Sequence, residues 1–185
     1  MAVKAGVENR GVAIFGGSFN PPHIGHSEIV KWLLTKGLAD EVLIVPCFLH
    51  PFGKELAPYE HRLAMARLAF ERPGLPVSVS EVEGQLGGES RTLRTVEHLI
   101  GLNPDSRFSL VAGGDVEAEI DKWHRFDELK ALVDLIKIPR GPGSPIADVS
   151  STQIRERIAS GDPGWRDMVE SEVAVYIVTK ALYCE

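Results

Sequence analysis

The sequence predicts a doubly wound α/β domain, a Rossmann-like parallel sheet with helices on both faces. Two observations carry that prediction. Short apolar segments alternate along the chain with segments whose apolar residues recur at helical spacing, the pattern of a parallel sheet covered on both sides. No internal repeat, low-complexity tract or linker divides the 185 residues, so the alternation belongs to one domain spanning 1–185.

Gly11–Phe15 (GVAIF) is short, apolar and followed by glycines, and reads as a buried first strand. His26–Lys36 sets Ile29, Val30, Leu33 and Leu34 on one helical face and stops at Gly37. Glu41–Pro46 (EVLIVP) is the second strand. Pro58–Phe70 is a helix with Pro58 at its first turn and Tyr59, Leu63, Ala66 and Phe70 at helical spacing. Val77–Val82 alternates weakly and is assigned as a strand. Thr92–Ile100 is helical, with Leu93, Val96, Leu99 and Ile100 facing inward. Arg107–Ala112 (RFSLVA) is the next strand, ending at Gly113-Gly114-Asp115. Phe126–Val133 is a helix and Leu135–Pro139 a fifth strand. Arg140–Ala147 holds two glycines and two prolines and is a loop. Helices follow over Ser151–Ser160 and Val169–Leu182, the latter burying Val169, Val173, Tyr176, Ile177 and Ala181.

Composition narrows the function classes. Hydrophobic residues make up 44% and charged residues 25%, as in ordinary soluble domains. A formal charge of −6 disfavours broad binding to nucleic acid or anionic membrane, while leaving nucleotides open because they need only local cations. The two cysteines, Cys47 and Cys184, lie far apart and read as reduced thiols. No run approaches a transmembrane span and Met1–Arg10 lacks an apolar signal core, so a cytoplasmic protein is expected. A homo-oligomer is compatible with the sequence, which does not fix the oligomeric state.

In doubly wound sheets ligands bind beyond the carboxyl ends of the strands, where strand order reverses. The segment after the first strand, Gly16-Gly17-Ser18-Phe19-Asn20-Pro21-Pro22-His23-Ile24-Gly25-His26, is therefore the leading candidate. Its paired glycines permit close backbone approach, and it runs into a helix start, where free N–H groups and the dipole favour an anion. His23 and His26 are three apart and share a face, with Gly25 between them leaving room for a phosphate to reach both rings. Donation from both imidazoles to a triphosphate would stabilise charge developing at phosphorus. Competing readings are a histidine metal pair, for which no third ligand of suitable spacing is evident, and a purely structural turn; no protein-held metal is expected. The dinucleotide fingerprint G-x-G-x-x-G is absent.

A second motif, Val149-Ser150-Ser151-Thr152-Gln153-Ile154-Arg155, opens a helix with hydroxyl residues suited to capping or anion binding. Arg155 lies one turn beyond Ser151, and a guanidinium matches phosphate oxygens. The competing reading is an ordinary capped helix with an exposed arginine. Lys54, after the second strand in His50-Pro51-Phe52-Gly53-Lys54, could neutralise a triphosphate; taken alone it would be a surface lysine.

These residues resemble a known family. Gly16–His26 is similar to the HxGH nucleotidylyltransferase motif, and the Phe-Asn-Pro-Pro stretch points to its bacterial nicotinate-nucleotide adenylyltransferase form. Val149–Arg155 resembles the family's I-S-S-T-x-I-R element, which holds the ATP β- and γ-phosphates. The resemblance implies ATP contacts from Gly16, Gly17, Ser18, Phe19, Ser150, Ser151, Thr152 and Arg155, with His23, His26, Lys54 and Arg155 as the catalytic set. The family has Pro-Pro-His-Lys near Lys54, so His50 is the alternative for that role. Phe108–Pro142 extends the likeness; there Asp115 would contact substrate and Trp123 of K-W-H-R would stack on a pyridine ring, which an indole face attracts when the ring is cationic. Ser90-Arg91-Thr92 resembles the Ser-Tyr-Thr segment that recognises the nicotinate carboxylate, with Arg91 in place of tyrosine.

The implied reaction is adenylyl transfer from ATP, with Mg²⁺, to nicotinate mononucleotide, giving nicotinate adenine dinucleotide and pyrophosphate. Alternatives are a nicotinamide mononucleotide acceptor, another branch such as a phosphopantetheine adenylyltransferase or a cytidylyltransferase, and a non-catalytic nucleotide sensor. The segment from Gly141 to Val149 is shorter than in bacterial relatives.

Overall fold

The structure, a computed structural model, describes residues 10–51, 53–113, 125–139, 141 and 143–184. Five strands form one all-parallel sheet: β1 (Gly11–Gly17), β2 (Glu41–Pro46), β3 (Val77–Val79), β4 (Arg107–Ala112) and β5 (Asp134–Lys137). Their spatial order is β3-β2-β1-β4-β5. The chain thus winds outward from β1 to one edge, returns to the other side of β1 at β4, and winds outward again. That reversal between β1 and β4 creates the crevice in which this architecture holds ligands.

Helices cover both faces, as the alternation predicts. On one face α1 (Ile24–Thr35), α2 (Tyr59–Phe70), α6 (Ser151–Ala159) and α7 (Ser171–Thr179) bury a core that includes Phe15, Leu33, Ile44, Met65, Ile154 and Ile177. On the other, α3 (Val82–Leu86), α4 (Thr92–Leu102) and α5 (Phe126–Leu132) enclose Val12, Ile14, Val45, Val96 and Leu129. Strand β1 supplies Ala13 and Phe15 to the first core and Val12 and Ile14 to the second. Burial on both faces explains why it reads as a continuous apolar run. Among the described residues no helix is long and apolar enough to cross a membrane.

Two elements depart most from the sequence reading. The segment Val77–Val82 is not one strand: pairing with β2 ends at Val79, and Ser80 Oγ accepts the Val82 N–H at 3.2 Å, turning the chain into α3. Val82 is buried, but from a helix. The helix read over Val169–Leu182 is shorter at both ends, covering Ser171–Thr179. A 3₁₀ helix, Pro163–Met168, begins at Asp162, whose Oδ1 accepts the Gly164 N–H at 2.9 Å, and it buries Trp165. Then α7 ends at Thr179 in a Schellman turn, with Ala181 N donating to Val178 O and Leu182 N to Ile177 O. Ala181 takes the left-handed position, φ +47°, that usually belongs to glycine, and it is exposed, not buried. Glycines fill the same position after α1 (Gly37, φ +63°) and α6 (Gly161, φ +74°). The turn at Ala181 sends Leu182 and Tyr183 back onto the first core.

Candidate active site

The Gly16–His26 segment leaves β1 at its carboxyl end and enters α1, with the Asn20–Pro21 peptide cis. Its three glycines have different reasons. Gly16 is exposed, and a Cβ there would meet nothing within 4 Å, so open space lies against its backbone. A Cβ on Gly17 would come within 3.2 Å of the Phe19 ring. On Gly25 it would approach the Ala147 carbonyl at 3.1 Å and His23 Nδ1 at 3.2 Å. The space expected for phosphate between the histidines is therefore taken by a neighbouring carbonyl and by the His23 ring. Gly16 marks the open side of the loop.

Phe19, which the resemblance places among the ATP contacts, is a core residue at 1% exposure, set edge-on against Phe15, Phe70 and His26. Its ring packs edge-on against the His26 imidazole, so its side chain belongs to the support of the loop. Ser18 is half-buried, 3.8 Å from Cys47 Sγ.

His23 and His26 stack with ring centroids 3.7 Å apart and 29° between planes. His26 Nδ1 accepts the His23 backbone N–H at 3.1 Å. Nδ1 must then carry no hydrogen, so the neutral ring holds its proton on Nε2, which is left as a donor. The N-cap bond that starts α1 thereby selects the His26 tautomer, a coupling that the three-residue spacing alone does not reveal.

Helix α6 delivers the second motif to the same place. Ser150 is its N-cap: Oγ accepts Gln153 N–H at 3.2 Å, and Gln153 Oε1 accepts Ser150 N–H at 2.9 Å. Ser151 Oγ donates to Pro21 O at 2.8 Å, and Arg155 Nη1 to Asn20 O at 2.8 Å. Arg155 Nη2 also donates to Thr152 Oγ1 at 3.3 Å. The bonds to Pro21 and Asn20 span 130 and 135 residues of sequence and bring the amino ends of α1 and α6 together. Two positive helix-dipole ends, two imidazoles and a guanidinium consequently share one region, an arrangement suited to a polyanion. Ser150 serves as a cap, and Ser151 and Thr152 are held by the loop and by Arg155.

The acceptor candidates are less gathered. Ser90 Oγ accepts the Phe48 N–H at 2.8 Å and Ser90 N donates to Leu49 O at 3.0 Å, fixing the start of α4 to the segment after β2. Thr92 is the first residue of α4. Arg91 is exposed and paired with Glu89 at 2.6 Å, so a substrate carboxylate would compete with Glu89 for it. Lys54 sits on an exposed stretch after Gly53. His50 is half-buried nearby, and burial, then the charges of Lys54 and Arg62, hold its imidazole below the ordinary 6.5. Asp115 and Trp123 lie outside the described residues.

Arg62 is the residue that sequence reading misses. It lies on α2 at 1% exposure. Its guanidinium donates to Ala57 O (2.9 Å), Ser18 O (3.0 Å), Cys47 O (2.7 Å) and Phe48 O (3.1 Å). Among the described residues no carboxylate forms an ion pair with it. One buried cation thus ties the Gly16–His26 loop to the end of β2 and to the start of α2. The signal available was its position: Arg62 falls on the apolar face with Tyr59, Leu63 and Ala66, where a surface arginine does not belong. Beside it, Cys47 is a thiol pushed up from its ordinary value by burial, against the lowering effect of Arg62.

Among the described residues no group of three or more His, Cys, Asp and Glu side chains is placed to hold a metal ion.

Residues 14–157 match the family model described as cytidylyltransferase-like. The chain is 43% identical over 183 residues to a probable nicotinate-nucleotide adenylyltransferase of Anaeromyxobacter dehalogenans, covering 94% of this chain and 97% of that protein. It is 37% identical over 180 residues to one of Myxococcus xanthus, covering 93% and 94%. Among solved structures, the Plasmodium falciparum nicotinic acid mononucleotide adenylyltransferase complexed with NaAD superposes with a TM-score of 0.78 at 18% identity, covering 94% of this chain and 97% of that one. That likeness speaks for the fold.

Proposed function

The chain belongs to the cytidylyltransferase-like family, in its nicotinate-nucleotide adenylyltransferase branch, and from that premise we propose that it transfers the adenylyl group of ATP to nicotinate mononucleotide. An oxygen of the mononucleotide phosphate attacks the α-phosphorus in line. The new P–O bond forms as the bond to the β-phosphate bridging oxygen breaks, and pyrophosphate leaves. The products are nicotinate adenine dinucleotide and pyrophosphate, a step of NAD biosynthesis.

One observation carries the reading: Ser151 and Arg155 bond to the backbone of the Gly16–His26 loop, joining both motifs in a single cationic cradle. The substrate phosphate is itself the nucleophile, so no side chain needs to be one. Catalysis rests on positioning and charge neutralisation. His26 donates from Nε2 and His23 from beside it to the triphosphate; Gly16, Gly17 and Ser18 bring backbone against it. Arg155, whose terminal nitrogens each keep a second hydrogen, grips the β- and γ-phosphates with Thr152. Lys54 approaches from the exposed loop after β2.

The groups gathered here are imidazoles, hydroxyls and a guanidinium, a set that suits phosphate oxygens and includes no carboxylate. Mg²⁺ bound with ATP would offset the triphosphate charge, while His23, His26, Thr152 and Arg155 would hold the phosphates. On the acceptor side, the first turn of α4 with Thr92 meets the nicotinate carboxylate, Ser90 fixes that turn, and Arg91 exchanges Glu89 for the substrate. Asp115 and Trp123 complete the acceptor site by resemblance. Two free thiols, Cys47 and Cys184, fit a reducing cytoplasm.

Product identity tests the proposal. Incubation with MgATP and nicotinate mononucleotide should give, by mass spectrometry, nicotinate adenine dinucleotide. Formation of the nicotinamide dinucleotide alone, when both mononucleotides are offered, would overturn the assigned acceptor.

A further inference from the structure

Asn20 is buried at 3% exposure within the candidate phosphate loop, and it bonds to three distant segments. Its carbonyl oxygen accepts Arg155 Nη1 at 2.8 Å. Its side-chain Oδ1 accepts two hydrogens, from Ala57 N at 3.1 Å and from the Tyr183 hydroxyl at 2.8 Å. Ala57 closes the exposed segment that carries Lys54, while Tyr183 belongs to the tail beyond α7.

The tail reaches Asn20 by a specific device. The Schellman turn after α7 forces Ala181 to φ +47°, and Tyr183 itself stands at φ +65°. Two non-glycine residues in the left-handed region cost about 1–2 kcal/mol each. Such a conformation persists only where its contacts outweigh that cost, and what it delivers is the Leu182 and Tyr183 side chains onto the core and one hydroxyl onto Asn20.

We propose that Tyr183 is a positioning residue for ATP: by donating to Asn20 Oδ1 it fixes the orientation of Asn20, and so the carbonyl that aims Arg155 at the triphosphate. The inference rests on the adenylyl-transfer reading given above. Because the same carboxamide oxygen also accepts Ala57 N–H, losing the hydroxyl leaves Asn20 with one donor and loosens it without unfolding the loop. Burial pushes the phenol well above its ordinary range, so the hydroxyl remains a donor at every working pH.

Tyr183→Phe removes the donor and keeps the ring. Kinetics should be measured well below the melting temperature of the variant, where a packing role alone would leave no trace. kcat/KM for ATP should fall about five- to tenfold, the loss of one buried hydrogen bond acting through Arg155. KM for nicotinate mononucleotide should stay within about twofold, since the Tyr183 hydroxyl bonds to Asn20, while Ser90 and Arg91 bond to Phe48 and Glu89. A chain ending at Leu182 should reproduce the loss, and a chain ending at Tyr183 should keep wild-type kinetics. Wild-type kcat/KM for ATP in Tyr183→Phe would overturn the proposal, as would equal losses toward both substrates. Calorimetric titration with MgATP separates this inference from the reading beneath it. Should the wild-type chain make no dinucleotide, the functional reading fails, yet Tyr183→Phe must still bind MgATP about five- to tenfold more weakly. Equal affinity there would sink the role of Tyr183 by itself.

Discussion

Replacing Arg62 by methionine keeps most of the side chain's length and removes every donor. Four carbonyls, those of Ser18, Cys47, Phe48 and Ala57, then lose their partner. At about 1 kcal/mol for each unmet acceptor the loss is about 4 kcal/mol, reduced somewhat because a buried guanidinium no longer has to be desolvated. That is a large share of the roughly 5–15 kcal/mol that keeps a domain folded. For a chain of this size it corresponds to a drop of about 8–16 °C in melting temperature. Arg62→Lys keeps the charge but cannot span four carbonyls from one nitrogen, and should fall about halfway. Thermal unfolding followed by far-UV circular dichroism reads both. Added salt should rescue neither, because the site is shielded from solvent. A methionine variant melting within about 2 °C of wild type would refute the idea that this cation holds the three segments together.

Other perturbations probe the remaining parts. His26→Ala should lower kcat about 100- to 1,000-fold with little change in KM for nicotinate mononucleotide, and unchanged turnover would remove His26 from catalysis. Ala181→Gly relieves a left-handed alanine and should stabilise the fold by about 1 kcal/mol in denaturant titration; destabilisation would contradict the turn described at the end of α7. Gly25→Ala gains helix propensity of about 1 kcal/mol but drives a methyl against Ala147 O and the His23 ring, so activity should drop even where stability holds; full activity would show the contact is slack. His50 binds fewer protons in the folded than in the unfolded protein between its lowered value and 6.5, so stability should decline as pH falls through that window, and His50→Gln should flatten the decline.

Much of this was legible in the sequence because it depends on local pattern. Strand β2 falls at Glu41–Pro46 as read, since a continuous apolar run closed by proline leaves little choice. α1, α2 and α4 follow from apolar spacing and from their stop signals. What escaped depends on partners remote in sequence or on backbone geometry. Ser80 capping Val82 turns an apparent strand into α3, and the left-handed Ala181 ends α7 without a glycine to announce it. Within the candidate site both motifs were visible, but not that Phe19 is a support for His26, that Gly25 admits Ala147, or that Asn20 joins Arg155 to Tyr183. The place of Arg62 on an apolar helix face hints at burial, but its four carbonyl partners are remote or in loops and only the structure shows them. Arg91, which stands where the family has tyrosine, is engaged by Glu89 two residues away.

The central claim is that this cradle moves the adenylyl group of ATP onto nicotinate mononucleotide. Pyrophosphate release measures that directly, with MgATP alone and with each pyridine mononucleotide added in turn. The account predicts release only when ATP and an acceptor are both present, with kcat/KM higher for nicotinate than for nicotinamide mononucleotide. Release that ignores the acceptor, or no release with either mononucleotide, would contradict it.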